Sequence, residues 1–386
     1  MRNSFFVFVC VVVVVSNSAI AQNMEVNNLP EWAIGGFVRP TGLNPIISPD
    51  TTKKFNCPMR QKSIDWESND TFNPAAAVKD NTVVVMYRAE DKSGTGIGGR
   101  TSRIGYAESA DGLLFKRFPT PVVFPANDSQ KEMEWTGGCE DPRVAVTDNG
   151  IYVMMYTQWN QKVPRLAVAT SKDLKAWEKH GPAFKTAYDS KFYNIASKSA
   201  SILTEVKNNK QVIIKINGKY WIYWGEENVY AAISDDLKNW SPLVDDKGNL
   251  KKLMSPREGY FDSQLTECGP PAVLTNKGIV LMYNGKNSTG DKSDKRFNEN
   301  TYCAGEALFD KNDPSKLIDR LAVPFLRPLE AFEKSGQYPA GTVFIEGLVY
   351  FKMKWYLYYG CADSRVSVAV CDPANPANGD TKPAKQ

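Results

Sequence analysis

One short segment of the chain concentrates side chains suited to acid–base chemistry. Gly137–Arg143 reads GGCEDPR, so two glycines precede two adjacent carboxylic acids, a proline and an arginine. Glycine permits close approach of the backbone to a ligand, and an arginine can hold one carboxylate charged while its neighbour takes another role. An ion-paired turn without catalytic function would have the same sequence. The local sequence leaves both interpretations open.

Further polar side chains lie at the ends of apolar runs. They are Asn73 in FNPA, Arg88 in MYRAED, Arg103 in TSRIGYA, Glu226 and Glu227 in YWGEENV, Glu267 in FDSQLTECGPPA, and Asp363 in YYGCADSRV. Such groups suit sugar hydroxyls, and rings such as those of Trp135, Trp159 and Trp224 suit the apolar faces of sugars. Glycosidic cleavage needs two carboxyl groups, one to protonate the leaving oxygen and one to activate the nucleophile. The residues therefore favour a carbohydrate site.

Several other functional classes are disfavoured by composition. The chain has one histidine, His180, in the turn sequence WEKHGP, so a catalytic unit built on an imidazole is not expected. The net charge is +4, with no basic stripe typical of nucleic-acid binding. There is no C-x-x-C pair, phosphate-binding glycine loop or dinucleotide motif, and the sequence implies no cofactor and no zinc site. It names no metal-binding residues, and it leaves open a calcium ion held by loop aspartates and carbonyls.

A repeat indicates the elements that must position these side chains. Five apolar runs end in tyrosine, at positions 87, 156, 223, 283 and 359, with spacings of 69, 67, 60 and 76 residues. A second segment of apolar or small residues follows each run. Short strands repeated at this period predict an all-β, five-bladed β-propeller. The turns SKDLKAW (Ser171–Trp177) and SDDLKNW (Ser234–Trp240) recur between blades, so we interpret them as hairpin structure and not as active-site motifs.

The N-terminus has the pattern of a secretory signal peptide. Arg2 supplies a positive charge, Phe5–Val15 is uniformly apolar, and the sequence from Ala19 to Ala21 resembles a cleavage site. We expect residues 1–21 to be a signal peptide, residues 22–372 to be one propeller domain, and the Pro-rich residues 373–386 to be a flexible tail. The protein is thus predicted to be exported, to the periplasm or the medium.

In order along the chain, these segments resemble glycoside hydrolase family 130, the mannoside phosphorylases and mannosidases. The resemblance is carried by FNPA, MYRAED, TSRIGYAESADG, GGCEDPR, the two turn motifs, GPPA, LFDKNDP and YYGCADS, and extends from about residue 72 to residue 370. It implies a mannoside substrate and inversion at the anomeric carbon. It also implies that Asp141 is the general acid, acting through the mannose 3-hydroxyl. Mannose would be bound by Asn73, Arg88, Arg103 and Asp363.

The chain departs from the family where phosphorylases carry cations for inorganic phosphate. The corresponding positions here are Trp224–Glu227 (WGEE), Gln264 and Tyr283–Gly285 (YNG), and Glu267 replaces a small residue. A phosphate dianion about 4 Å from a carboxylate, at an effective dielectric constant of ~20, is repelled by several kcal/mol. A carboxylate at that place can instead deprotonate water.

The chain is therefore predicted to resemble the hydrolases of the family, the exo-acting β-1,2-mannosidases. Asp141 would act as the acid, and Glu227 with Glu267 would activate water. Glu226 is an alternative to Glu227 in this role, because a shift of one residue in strand register exchanges the faces of the sheet to which the two side chains point. Glu226 and Asn284 are further candidates for substrate binding. Two alternatives remain: a phosphorylase with a different phosphate site, and a sugar-binding propeller without activity.

Overall fold

The computed structural model of the protein describes residues 29–374. Helical structure in this range is limited to the four-residue helix α1 (Lys131–Glu134) and two short 3-10 helices, Gly290–Lys292 and Ala331–Glu333. The all-β class is confirmed. Within residues 29–374 no helix has the length and apolarity needed to cross a membrane. The predicted signal peptide at 1–21 and residues 375–386 of the predicted tail lie outside the described residues.

The strands form five successive antiparallel groups. A short hairpin, β1 (Phe55–Cys57) and β2 (Lys62–Ile64), comes before them. Group 1 contains β3 (Asp70–Lys79), β4 (Thr82–Glu90), β5 (Ser102–Ser109) and β6 (Lys116–Arg117). Group 2 contains β7 (Gly138–Val146), β8 (Tyr152–Trp159), β9 (Pro164–Ser171) and β10 (Glu178–Pro182).

The remaining three groups repeat this pattern. Group 3 contains β11 (Ala200–Lys207), β12 (Lys210–Ile213), β13 (Lys215–Ile216), β14 (Lys219–Trp224), β15 (Tyr230–Ser234) and β16 (Ser241–Pro242). Group 4 contains β17 (Leu265–Cys268), β18 (Ala272–Leu274), β19 (Ile279–Lys286), β20 (Tyr302–Phe309) and β21 (Leu317–Arg320). Group 5 contains β22 (Val343–Phe351), β23 (Lys354–Cys361) and β24 (Arg365–Cys371).

The five groups pack in a closed cycle. Hydrophobic clusters fill the interfaces between groups 1 and 2, 2 and 3, 3 and 4, and 4 and 5, and a fifth cluster joins group 5 to group 1. The N-terminal segment reinforces this closure, because Val38 and Ile47 pair antiparallel with Val370 and Val366 of β24. Parallel pairs join group 1 to group 2, through β5 and β7, and group 3 to group 4, through β11 and β18. Five antiparallel groups, each packed against two neighbours, are consistent with a five-bladed propeller.

The five tyrosines that end the apolar runs occupy equivalent, fully buried positions. Each lies on β4, β8, β14, β19 or β23, and its register partner on the next strand is small: Gly105, Ala167, Ala231, Gly305 and Ser367. A Cβ atom at Gly305 would lie 2.6 Å from Cζ of Tyr283, so the ring requires a residue without a side chain there. The tyrosine and its small partner are therefore a structural unit of the repeat.

Four of the five tyrosine hydroxyls donate to a buried carboxyl group. The acceptors are Glu67 for Tyr87 (2.6 Å), Glu134 for Tyr156 (2.9 Å), Asp262 for Tyr283 (2.7 Å) and Glu333 for Tyr359 (2.9 Å). Each of these acids also forms an ion pair, with Arg117, Lys179, Arg257 and Arg39 respectively. In group 3, Tyr223 donates instead to the backbone carbonyl of Pro314 at 2.8 Å. Because the arrangement recurs, its role is to hold the sheets and their connections together.

The recurrent turns have the hairpin role predicted for them. In the turns that follow β9 and β15, the hydroxyls of Ser171 and Ser234 accept the backbone N–H of Leu174 and Leu237, each at 2.9 Å. Asp173 and Asp236, each two residues after the serine, accept two backbone N–H groups at 2.8 Å. Each turn thus satisfies its own backbone polar groups.

Two of the repeated tyrosines form a matched pair for measuring the value of the carboxyl acceptor. Tyr283→Phe removes a bond to Asp262, which is also paired with Arg257 and Arg320, so we expect a loss of about 2–3 kcal/mol in the free energy of unfolding. Tyr223→Phe removes a bond to a neutral carbonyl and should cost about 1 kcal/mol. Urea denaturation of both variants measures the difference, and equal losses would contradict a special role for the acid.

Candidate active site

The first strands of the groups each contribute polar side chains to one site. Asn73 lies on β3, Asp141 on β7, Glu267 on β17 and Glu346 on β22, and Lys198 comes two residues before β11 begins. All four strand residues are at least 95% buried. Since the five groups pack in a cycle, their first strands can present side chains to one shared space. Residues distant in sequence are brought together in this way.

Irregularities in three of these strands direct the side chains. The register shifts at Asn73 between Phe72 and Pro74, at Asp141 between Glu140 and Arg143, and at Glu346 between Ile345 and Gly347. A β-bulge places two residues opposite one and re-aims the extra side chain. Asn73 and Asp141 also have positive φ values of 46° and 48°, a conformation that non-glycine residues adopt at a cost. A proline follows each of them. Proline has no backbone N–H, and a bulge is a place where no N–H is needed for pairing with the neighbouring strand.

Asp141 is held at one carboxylate oxygen. Its Oδ1 accepts from Nδ2 of Asn73 at 2.9 Å and from Nη1 of Arg88 at 3.1 Å. Arg143 donates to the backbone carbonyl of Asp141 at 3.0 Å. Burial raises the pKa of the Asp141 carboxyl, but Arg88, Lys198 and Arg143 together outweigh it and lower this pKa to about 2. Asp141 is therefore ionised near neutral pH, and the two side-chain donors bond its Oδ1 and not its Oδ2.

Arg88 is shared by three carboxyl groups. Its Nη2 lies 2.7 Å from Glu90 and 2.8 Å from Glu140, and its Nη1 lies 3.1 Å from Asp141. The guanidinium carbon lies 4.7 Å from the centre of the Phe72 ring, which supports it from the side. Burial raises the pKa of Glu140 to about 7, Arg88 opposes the rise, and Asp141 and Glu90 add to it. The pKa values of these two adjacent acids are therefore shifted in opposite directions.

Lys198 organises the second group of acids. Its Nζ lies 3.1 Å from Oε1 of Glu226 and 3.4 Å from Oε1 of Glu267, and the Ser199 hydroxyl donates to the same oxygen of Glu267. Burial raises the pKa of Glu267, with Lys198 opposing and Glu226 adding to the rise. Lys198 lies in the segment IASKSAS, which matches no motif, and the sequence analysis did not identify it.

The structure pairs Glu226, and not Glu227, with Glu267. The N–H of Gly225 donates to the carbonyls of Lys198 and Ser199, both at 3.1 Å, so the residue after Gly225 lies against Lys198. Glu226 and Glu227 are both exposed, but Glu227 contacts β17 through its backbone carbonyl, which accepts from Thr266. The competition left open by strand register is thus resolved by geometry in favour of Glu226 as the neighbour of Lys198.

Three other predicted residues occupy distinct places. Asp363 lies in the turn between β23 and β24; burial raises its pKa to about 7, with Arg88 opposing and Asp141 adding to the rise, so it faces the Arg88 group. Asn284 is buried and exchanges two hydrogen bonds with the backbone of Ile345, so its amide links group 4 to group 5. Arg103 donates to Asp91 at 3.0 Å and contacts Sγ of Cys57. It lies on the face of β5 opposite Ser102, which contacts Arg88, because side chains alternate along a strand.

A second arginine lies beside the Arg88 group. Arg100, from the connection between β4 and β5, lies 3.3 Å from Glu90 and 3.5 Å from Asp70, and it hydrogen-bonds Gln337 from the connection before β22. Gln337 in turn donates to the carbonyl of Asp363 at 2.9 Å. The sequence analysis missed Arg100 because it lies in a glycine-rich loop with no chemical motif.

Aromatic residues border the Lys198 group. The rings of Tyr302 and Tyr338 lie 5.3 Å apart, and Nζ of Lys286 lies 5.4 Å from both. Burial raises the pKa of Tyr302, and Glu267 adds to the rise, so this ring lies beside Glu267. Both tyrosines are partly exposed and offer ring surface to a sugar. Trp224, a candidate ring from the sequence, is instead packed in the core against Phe184 and Tyr230.

Acidic groups outnumber cations in the described site. The carboxyl groups are Asp70, Glu90, Glu140, Asp141, Glu226, Glu267, Glu346 and Asp363; the cations are Arg88, Arg100, Arg143 and Lys198. Within residues 29–374, no group of three or more histidine, cysteine or acidic side chains is arranged to hold a metal ion. The arrangement is suited to hydrogen bonding of hydroxyls and to proton transfer between carboxyl groups and a neutral substrate.

Comparison with known proteins gives a consistent assignment. Residues 42–374 match a family model for glycoside hydrolase family 130, described as beta-1,4-mannooligosaccharide phosphorylase. The chain is 33% identical to the 1,2-beta-oligomannan phosphorylase of Thermoanaerobacter sp. (strain X514), over 80% of this chain and 92% of that protein.

Solved structures are more similar. A glycosyl hydrolase from Bacteroides ovatus is 67% identical with a TM-score of 0.90, covering 92% of this chain and 98% of its own. A second solved structure is 65% identical with a TM-score of 0.90, covering 92% of this chain and 98% of its own. It was reported with the statement that the family of mannoside phosphorylases contains glycoside hydrolases that target beta-1,2 mannosidic linkages in Candida mannan. The chain belongs to glycoside hydrolase family 130, whose members act on mannosides as phosphorylases or as hydrolases.

Proposed function

We propose that the protein is an exported, exo-acting β-mannosidase that hydrolyses β-1,2-linked mannosides with inversion of configuration. In this proposal the five antiparallel groups are the blades of one propeller, and the signal peptide at residues 1–21 directs the protein to the periplasm or the medium. We propose that the bridge between Arg100 and Gln337 closes one side of the site, as suits a pocket that receives the end of a chain and releases one sugar.

The observation that carries the proposal is the charge balance around Lys198. This lysine is bonded to two carboxyl groups, Glu226 and Glu267, so it presents no unbalanced positive charge to an anion. A phosphate dianion about 4 Å from either carboxylate would be repelled by several kcal/mol at an effective dielectric constant of ~20. Water has no such penalty, and a carboxylate can remove its proton. The site therefore favours water as the attacking molecule.

The similar structures support the same choice. The two solved structures reported above are 65% and 67% identical to this chain, and their descriptions name hydrolases. The phosphorylases among the relatives are 33% identical or less. A phosphorylase is the second candidate, favoured by the names of these relatives and by the presence of a cation, Lys198, in the site. A sugar-binding protein without turnover is a third.

The proposed chemistry assigns one group of acids to each side of the bond that breaks. Asp141 donates a proton toward the leaving oxygen, through the mannose 3-hydroxyl as the family resemblance implies. Its Oδ1 is fixed by Asn73 and Arg88, which leaves Oδ2 to contact the sugar. Glu267 activates water, with Oε1 fixed by Ser199 and Lys198. Burial raises the pKa of Glu267, and a raised pKa makes its carboxylate a better base.

The choice between hydrolysis and phosphorolysis can be read from the products. We expect purified protein to release mannose from β-1,2-mannobiose at the same rate with and without inorganic phosphate. β-1,3- and β-1,4-linked mannobioses serve as substrate controls, since the 1,2 preference is part of the proposal. Mannose 1-phosphate formed in the phosphate reaction would establish the phosphorylase alternative, and binding without any product would establish the third.

Two adjacent glutamates offer a matched test of the water-activating group. Glu226→Gln removes one carboxylate from Lys198 and should lower kcat about tenfold to a hundredfold, because Lys198 then pairs more strongly with Glu267 and weakens it as a base. Both side chains are exposed, but Glu227 contacts β17 through its backbone carbonyl and not its carboxyl group, so Glu227→Gln should change kcat less than about threefold. Initial rates of mannose release measure kcat for both variants. A larger loss of kcat in Glu227→Gln than in Glu226→Gln would assign the role in water activation to Glu227.

Removal of either reacting carboxyl group should be far more damaging. Asp141→Asn and Glu267→Gln are each expected to lower kcat by about 10²–10⁴, the usual contribution of a general acid or base. Both replacements keep the size of the side chain, so thermal unfolding should confirm that the variants are folded. An Asp141→Asn variant with the wild-type rate would exclude Asp141 as the acid.

A further inference from the structure

The side chain of Arg143 joins the two strands that carry the proposed acid and base. Its Nη1 donates to the backbone carbonyl of Asp141 at 3.0 Å. Its Nη2 donates to the carbonyl of Cys268 at 2.9 Å, and its Nε donates to the carbonyl of Gly269 at 3.3 Å. Cys268 directly follows Glu267 on β17. One guanidinium is therefore bonded to the backbone of the acid and to the backbone one residue beyond the base.

These bonds cross the interior of the cycle of sheets. Asp141 lies on β7 of group 2 and Glu267 on β17 of group 4, and group 3 packs between those two groups. The hydrophobic clusters each join successive groups, so the distance between groups 2 and 4 also depends on contacts that span the centre. Ser201 on β11 of group 3 reinforces the same point, because its hydroxyl donates to the Gly269 carbonyl at 3.0 Å. Arg143 thus ties together two groups that are not neighbours.

The bulge in β7 makes the backbone of Asp141 dependent on this side chain. The register passes from Glu140 to Arg143, so Asp141 has no register partner on β8. Its φ of 48° is a conformation that persists only where surrounding contacts fix it. Arg143 supplies one such contact at the carbonyl, two residues along the same strand. The direction of the Asp141 carboxyl group therefore depends on Arg143 as well as on the donors that bond its Oδ1.

A guanidinium is suited to this role in a way that an ammonium is not. Arginine presents five N–H donors in a planar fork, whereas lysine presents all its donors from one nitrogen. Arg143 is 1% exposed and uses all three of its nitrogens on backbone carbonyls. Glu346 of group 5 lies 3.0 Å from its Nη1 and balances its charge. Because its hydrogen bonds are to carbonyls and not to the reacting carboxyl groups, Arg143 can act only through their placement.

We infer that Arg143 is the positioning residue that sets the separation between the carboxyl groups of Asp141 and Glu267. The inference rests on the proposed function, which gives these two residues the roles of acid and base. Inverting hydrolysis needs about 6.5–9.5 Å between its two carboxyl groups, because water must fit beside the base. A misplacement of about 1 Å in a reacting geometry can lower a rate about 100-fold. A contact that fixes this separation therefore controls the rate without contacting the sugar.

The first test compares Arg143→Lys with Arg39→Lys. Arg143→Lys keeps the charge beside Glu346 but cannot bond three carbonyls, so kcat for mannose release from β-1,2-mannobiose should fall about 30- to 100-fold. KM should change less than about threefold, because the side chains proposed to bind mannose remain. Initial rates over a range of substrate concentrations measure both constants, and a wild-type kcat in Arg143→Lys would overturn the inference.

Arg39 is a matched control, since it is also buried and is bonded to a carboxyl group and a backbone carbonyl, those of Glu333 and Arg327. Arg39→Lys should lower the melting temperature and change kcat less than about twofold. An equal loss of kcat in Arg39→Lys and Arg143→Lys would indicate a general structural effect and would overturn the inference.

A milder pair of variants decides the question if Arg143→Lys does not fold. Ser201→Ala removes the second side-chain donor to the Gly269 carbonyl and should lower kcat about threefold to tenfold. Thr204→Val is its control, because the Thr204 hydroxyl makes an equivalent bond from the same strand to the Ala272 carbonyl at 2.7 Å. It should change kcat less than about twofold. Equal values of kcat in these two variants would contradict the positioning role.

A double-mutant cycle separates positioning from support of the fold. In Glu267→Gln the base is absent, so its distance from the acid no longer matters. Addition of Arg143→Lys to this variant should then lower kcat by less than about threefold more. If Arg143 only supported the fold, the two losses would multiply, and that result would overturn the inference.

Crystal structures of the wild type and Arg143→Lys provide a readout that does not depend on activity. The separation between the carboxyl carbons of Asp141 and Glu267 should differ by about 0.5–1 Å between the two proteins. An unchanged separation would overturn the inference. If the wild type released no mannose, the proposed function would fail, while these structures would still decide whether Arg143 sets the separation.

Discussion

The excess of buried acid over buried base is the constraint on which the site depends. Burial of a carboxylate without a cation costs several kcal/mol, so an acidic group in this position is either paired or protonated. Arg88 and Lys198 each serve more than one carboxyl group, and the acids that receive less positive charge have raised pKa values. The same imbalance supplies groups that can give or take protons near neutral pH. It also disfavours a second anion, which bears directly on the identity of the nucleophile.

The scaffold supports this site by dividing its ionisable groups into two classes. The acids that meet the repeated tyrosines, such as Asp262 and Glu333, are each bonded to a hydroxyl and a cation, and they recur in four of the five groups. Two acids of the site, Asp141 and Glu346, lie at bulges in first strands, and a third such bulge holds Asn73. The cost of positive φ at Asn73 and Asp141 is of order 1–3 kcal/mol each. The packed interfaces on both sides of every sheet can offset such a cost.

The sequence was informative where a pattern repeats or where a motif is dense. The tyrosine period predicted five antiparallel groups, and the segment with Glu140 and Asp141 was identified from its composition alone. Sequence reasoning was less successful where the outcome depends on register. It could not choose between Glu226 and Glu227, and it did not anticipate that Arg103 would contact Asp91 or that Asn284 would bond the Ile345 backbone. Lys198 and Arg100 lie in segments without a motif, so only their three-dimensional positions reveal them.

Lys198 shows why the presence of a cation does not by itself indicate a phosphate site. A lysine attracts a dianion in proportion to the positive charge that its neighbours leave unbalanced. With both Glu226 and Glu267 bonded to it, Lys198 orients two carboxyl groups, and burial raises the pKa of Glu267. The same lysine with neutral neighbours would be an anion site in an otherwise unchanged scaffold. On the proposed mechanism, the balance of charge around this one residue decides whether the sugar is transferred to water or to phosphate.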